Sequence, residues 1–91
     1  AEEAKRIGIV QEVVEPGTQV ARAIELAGRI AALAPLAIQA TKRSAMTFIE
    51  KGEAAAFAEL DSVQASLANT EDAAEGVRSF IERRQGRFTG R

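Results

Sequence analysis

Asn69-Thr-Glu-Asp-Ala-Ala-Glu-Gly-Val-Arg-Ser-Phe-Ile-Glu-Arg-Arg-Gln-Gly-Arg-Phe-Thr-Gly-Arg91 carries the marks of one amphipathic helix followed by a short basic, aromatic tail. Asn69 or Thr70 supplies an N-cap oxygen, and Asp72, three residues after Asn69, is an acid placed as in a capping box. Val77, Phe80, Ile81 and Arg84 stand at i, i+3, i+4 and i+7, so they share one face and the apolar stripe finishes in an arginine. Gly86 is the expected terminator.

Reading back toward the N-terminus, the helical period repeats. From Glu53 to about Leu67, Ala56, Leu60, Val63 and Leu67 fall on one side with Phe57 alongside. Pro35 suits the first position of the preceding helix, where its missing N–H costs nothing. That helix carries Leu36, Ile38, Ala45, Phe48 and Ile49 and should end at Gly52. Thr18 can cap another helix through about Leu33, in which Val20, Ala23, Ala27 and Ile30 form a stripe widened by Ile24 and Ala31. Ile9-Val-Gln-Glu-Val-Val14 is rich in β-branched residues and stops at Pro16-Gly17, which predicts a short strand. Gly8 fits the C-terminal cap of a helical piece that ends in Lys5 and Arg6, with those cations at the negative end of the dipole. Because the chain opens on Ala1, this piece is expected to be the last turns of a helix that starts earlier. The fold predicted is mainly α: a short N-terminal strand, then about four helices joined by two to four residues, as antiparallel neighbours require.

Composition narrows the chemistry. A chain of 91 residues buries only about 60–65% of the surface it exposes when unfolded, and much of its 46% apolar content is alanine. The core is therefore thin, and apolar cover from a partner is expected. There is no cysteine, which excludes disulfides, thiol nucleophiles and zinc-thiolate sites and leans weakly toward a cytoplasmic location. There is no histidine, so proton transfer is left to carboxylates, lysines and hydroxyls. No apolar run reaches the ~18 residues of a membrane span, and no membrane partner is expected. The net charge of -1 hides an asymmetry: residues 50 to 75 hold seven acids against Lys51 alone, whereas residues 76 to 91 hold Arg78, Arg83, Arg84, Arg87 and Arg91 against Glu82. Such a pattern suits docking within an assembly or an anionic ligand at the tail, beside the plainer reading of solvated helix faces.

Glu71, Asp72 and Glu75 gather at the start of the last helix, where the macrodipole alone favours acids, and nothing around them predicts burial that would raise a carboxylate pKa. Glu50, Glu53, Glu59 and Asp61 are placed for solvent, and Lys42 and Arg43 for the surface. No glycine-rich phosphate loop is present. Phe80 with Arg83 and Arg84 is the more informative set. An aromatic ring can wall an apolar pocket while an arginine gives charge-assisted hydrogen bonds to a phosphate, although a core phenylalanine with arginines that are solvated or paired with acids accounts for the same residues. Five arginines on a chain of balanced charge are too few for a nucleic-acid footprint, so no nucleic-acid partner is expected.

The ordered set Ala4-Lys-Arg-Ile-Gly-Ile-Val, Val13-Val14, Pro16, Ala23-Ile-Glu-Leu-Ala, Ile30-Ala31, Pro35, Ala40-Thr-Lys42, Glu75-Gly-Val-Arg-Ser-Phe-Ile-Glu-Arg-Arg and Arg87-Phe88 resembles the C-terminal third of the enoyl-CoA hydratase/isomerase family, the crotonases. The resemblance implies a spiral α/β catalytic core upstream, followed by a helical region that builds trimers, often paired into hexamers. It implies acyl-CoA thioester substrates, two glutamates that act as acid and base on water adding to a trans-2-enoyl-CoA, and an oxyanion hole of two backbone amides. All of these would precede Ala1. On this reading residues 1–17 are the end of a helix plus a short strand linking from a missing core, and residues 18–91 are a helical oligomerisation segment that self-associates and is inactive alone. The resemblance implies no catalytic residue and no metal ligand in this chain, and no cofactor other than coenzyme A as part of the substrate. Phe80 corresponds to an aromatic of the acyl pocket, commonly that of a neighbouring subunit, and Arg83 to a basic residue near the ribose phosphate of CoA. The alternative is an independent helical interaction module with no catalytic role.

Overall fold

Pro35 opens the longest helix, and the reason is local: its φ is already helical and its absent N–H lies among the groups a first turn leaves unpaired. In the computed structural model, which describes residues 1–91, the elements are α1 (Glu2–Arg6), α2 (Gln19–Ala31), α3 (Pro35–Lys51), α4 (Glu53–Ala68) and α5 (Glu71–Ile81). Gly52 alone separates α3 from α4. It takes φ 86°, which a side chain would resist, closes α3 by donating its N–H to the Phe48 carbonyl at 2.9 Å, and serves as the N-cap of α4. The two helices fold back on each other as a hairpin, with Thr47 Oγ1 donating to Glu59 Oε2 at 3.4 Å between them. Elsewhere the expected antiparallel neighbours do not form: the chain bends by 108° between α2 and α3, and α5 touches α4 far less than α3 does.

The predicted strand at Ile9–Val14 is absent, and every regular element of the chain is a helix. A strand needs a ladder partner for its N–H and C=O groups, and no other segment of this chain is extended beside it. Val10 and Val14 instead line a small hollow with Ala23 and Leu26 of α2, and Arg22 of α2 holds the segment through Glu12 at 2.8 Å. The cap at Gly8 is as expected. Its φ is 82°, its N–H reaches the Lys5 carbonyl at 3.1 Å, and the Ile9 N–H reaches Ala4 at 2.9 Å, the two bonds of a Schellman turn. Thr18 occupies the N-cap position of α2 without capping it, because its hydroxyl donates backward to the Glu15 carbonyl at 2.7 Å.

Burial is inverted relative to a self-contained domain. Only Thr47, Asp72 and Ser79 are buried, and no hydrophobic residue is. The accessible surface is 7413 Å², against about 5,100 Å² for a compact monomer of this mass, and the radius of gyration is 16.7 Å against about 12 Å. The molecule is a slab of 44 × 36 × 18 Å. The helix hairpin carries an open apolar groove of about 460 Å³ lined by Phe48, Phe57, Leu60 and Val63, while α2 exposes Val20, Ile24 and Ile30. No helix is long and apolar enough to cross a membrane.

Candidate functional site

The site region is built on α5 and the tail that follows it. Of the two cap candidates, Thr70 caps the helix: its Oγ1 accepts the Ala73 N–H at 3.0 Å. Asp72 therefore has no role in a capping box and turns elsewhere. Its carboxylate accepts the N–H of Thr89 at 2.7 Å and of Gly90 at 2.8 Å, while its own N–H donates to the Arg91 main-chain oxygen at 2.9 Å. With 4% of its surface exposed, Asp72 is a buried clasp that folds the tail onto the helix start. This corrects the expectation of a solvated first-turn acid.

Glu75 departs from that expectation as well. One turn further along α5, its side chain is only 14% exposed and takes a bidentate pair from Arg84, Nη1 to Oε1 at 2.6 Å and Nη2 to Oε2 at 3.1 Å. The Arg87 N–H adds a third bond to Oε1 at 2.9 Å. These donors, Arg84 first, hold the Glu75 carboxyl well below the usual range, at about 2, and Glu75 together with Glu82 raises Arg84. Between the two clasps lies Phe88, half-buried, with its ring against Gly76 and Gly86. A Cβ on Gly86 would overlap that ring, which explains the glycine there. The ring reaches hollows bordered by the end of α2, the start of α3 and Leu67, so the tail ties together helices that hardly touch directly.

The helix ends at Ile81, five residues before the expected Gly86, and the terminator is Arg83. Arg83 has φ 52°, the only left-handed non-glycine residue in the chain. Its N–H bonds the Phe80 carbonyl at 3.2 Å and the Arg84 N–H bonds Ser79 at 3.0 Å, so Arg83 occupies the position that glycine usually fills in a Schellman turn. Its side chain makes no ion pair or hydrogen bond within the chain, unlike that of Arg84. Phe80, in the last turn, is 84% exposed. The structure thus places the two predicted site residues at one helix end, Arg83 unpaired and Phe80 open, and neither lines the hairpin groove or the hollows around Phe88. Arg84, grouped with them on sequence, is committed to Glu75 and Glu82.

Residues 1–91 match the family model for enoyl-CoA hydratase/isomerase over their whole length. The chain belongs to the enoyl-CoA hydratase/isomerase family. Within that family it is 39% identical over 90 residues to the (E)-benzylidenesuccinyl-CoA hydratase of Thauera aromatica, covering 99% of this chain and 35% of the relative. It is 33% identical to the 2,3-dehydroadipyl-CoA hydratase of Escherichia coli, covering 100% of this chain and 36% of the relative. Among solved structures, a probable enoyl-CoA hydratase/isomerase from Mycobacterium abscessus superposes with a TM-score of 0.96 at 46% identity, covering 100% of this chain and 35% of that one. The chain therefore spans about a third of the length of the relatives it matches. Its all-helical architecture superposes on the corresponding part of the Mycobacterium abscessus protein.

Proposed function

We propose that this chain is the C-terminal helical part of an enzyme that acts on acyl-CoA thioesters and hydrates trans-2-enoyl-CoA. The observation that carries the reading is the pairing of an open aromatic with an unpaired guanidinium at one helix end: Phe80 is 84% exposed, and Arg83 has no partner in the chain. An exposed phenylalanine is available to wall an acyl chain, and a free arginine next to it offers charge-assisted bonds to a phosphate. The reading assigns no catalytic group to this chain. It leaves the acid, base and oxyanion hole to the rest of the enzyme, with coenzyme A entering as part of the substrate and no metal. The exposed apolar faces of α2 and of the α3–α4 hairpin are the surfaces through which the segment meets that remainder and further copies of itself.

The test is an NMR titration with CoA that follows amides from Val77 to Arg91, paired with a hydration assay on trans-2-enoyl-CoA in the full-length protein. Saturable shifts centred on Phe80 and Arg83, together with turnover that falls when either is truncated, support the reading. A full-length protein that forms no hydrated product refutes the assigned reaction, and one whose CoA affinity ignores Arg83→Ala refutes the assigned contact.

A further inference from the structure

The left-handed conformation of Arg83 needs an explanation, because an arginine there is disfavoured relative to glycine and its side chain makes no hydrogen bond or ion pair that compensates. What holds it lies on either side. The preceding turn is fixed by α5 itself. On the far side, Arg84 is locked by both carboxylate oxygens of Glu75 and by Glu82, and three residues on, the Arg87 N–H is locked by Glu75 again. Glu75 therefore grips the chain twice just after the turn, from a side chain that is itself mostly covered. Arg78 also approaches Glu75, at 3.9 Å, so the carboxylate stays surrounded by cations.

We infer that Glu75 is a positioning residue, which fixes the strained turn at Arg83 through Arg84 and Arg87 and so presents the Arg83 guanidinium beside Phe80 toward a CoA phosphate. The inference rests on the proposed CoA contact of Arg83. Glu75 touches no ligand. It acts by restricting the backbone, in the way that outer residues orient the groups that do the binding.

The experiment is a double-mutant cycle in the full-length protein, with CoA affinity and amide exchange read together. Arg83→Ala and Glu75→Gln should each weaken CoA binding about tenfold, the scale of one charge-assisted contact. Glu75→Gln in the Arg83→Ala background should change it less than about twofold, because the two act through one contact. Glu75→Gln should also raise the exchange of the Arg84 amide, which the turn protects. Arg84→Gln, which opens the same pair from its other side, should reproduce both effects if Glu75→Gln fails to fold. Additive losses in affinity, or an Arg84 amide as protected in the variant as in the parent, overturn the positioning role while leaving the Arg83 contact standing. An affinity indifferent to Arg83→Ala overturns the contact itself, and the inference with it.

Discussion

Replacing Asp72 by asparagine removes one charge and one acceptor at a single buried point, and the tail should answer alone. In the parent chain two N–H groups, of Thr89 and Gly90, end on a carboxylate at 2.7 and 2.8 Å. Asparagine has nearly the same shape but offers one oxygen and one NH2, so it can keep one of the two bonds, now uncharged, and sets a donor against the other N–H. Charge-assisted bonds contribute about 1.5–3 kcal/mol each and neutral ones about 0.5–1.5, so trading two of the first for one of the second costs about 3.5 kcal/mol at the midpoints. The bond from the Asp72 N–H to Arg91 belongs to the backbone and survives. The loss is therefore local, a looser tail on a helix that persists. Amide hydrogen exchange reads it directly: Thr89 and Gly90 should exchange about 300-fold faster, at about 1.4 kcal/mol per decade. The Gly52 amide, bonded to Phe48 in the distant hairpin, should not change. Thr89 and Gly90 rates within about twofold of the parent would show that the carboxylate does not hold the tail, and equal acceleration at Gly52 would show that Asp72 supports the whole fold.

Other variants probe the same region from different sides. Arg83→Gly should stabilise the end of α5 by about 0.5–1 kcal/mol, seen as slower exchange of the Arg84 amide, because glycine accepts φ 52° without a Cβ penalty. Gly86→Ala should displace the Phe88 ring and cost about 1–3 kcal/mol, visible as loss of the ring's nuclear Overhauser contacts to Gly76. The Glu75 carboxyl is held down to about 2 from an ordinary 4.5, so between those values the folded chain binds fewer protons than the unfolded one. Its stabilisation is complete above about pH 4.5 and lost as the pH falls through about 2. The Arg87 amide shift, titrated by NMR, should follow that midpoint, and a midpoint near 4.5 would mean the grip of Arg84 is absent in solution. Phe80→Ala should leave thermal stability within about 0.5 kcal/mol, since the ring is 84% exposed, while lowering acyl-CoA turnover of the full-length protein.

Helices were legible because their signals are local. Pro35, Gly52, Thr70 and the 3.6-residue period each act within a few positions, and the structure places them where the period and the caps put them. The strand expected at Ile9–Val14 does not form for the opposite reason: β-branched residues state a preference that only a neighbouring strand can satisfy, and none is present. The C-terminus of α5 misled differently. Gly86 offered the usual glycine stop, but the chain stops at an arginine because Glu75 reaches forward over nine residues to hold Arg84. The charge asymmetry between the acidic middle and the basic tail was a real signal of that contact, and part of it is resolved inside the chain in the Glu75–Arg84 pair. Asp72 left no such signal, since its partners are backbone N–H groups that every residue type but proline carries.

The inverted burial and the clasped tail have one physical explanation. A chain whose apolar faces are covered by something else cannot use those faces to fix its own shape, because their contribution arises only when the cover arrives. Here the apolar side chains of α2, the hairpin groove and the last turn of α5 are open, and the buried groups are Thr47, Asp72 and Ser79. What fixes the angle between the helices is therefore directional: Asp72 and Glu75 hold backbone N–H groups of the tail, and the Phe88 ring sits where Gly76 and Gly86 leave room for it. Hydrogen bonds of this kind specify geometry while contributing modest net stability. They can hold the shape of the slab and leave its large apolar area uncommitted. Weakening the Glu75 clasp should therefore disturb the relative placement of Phe80 and Arg83 well before it unwinds any helix.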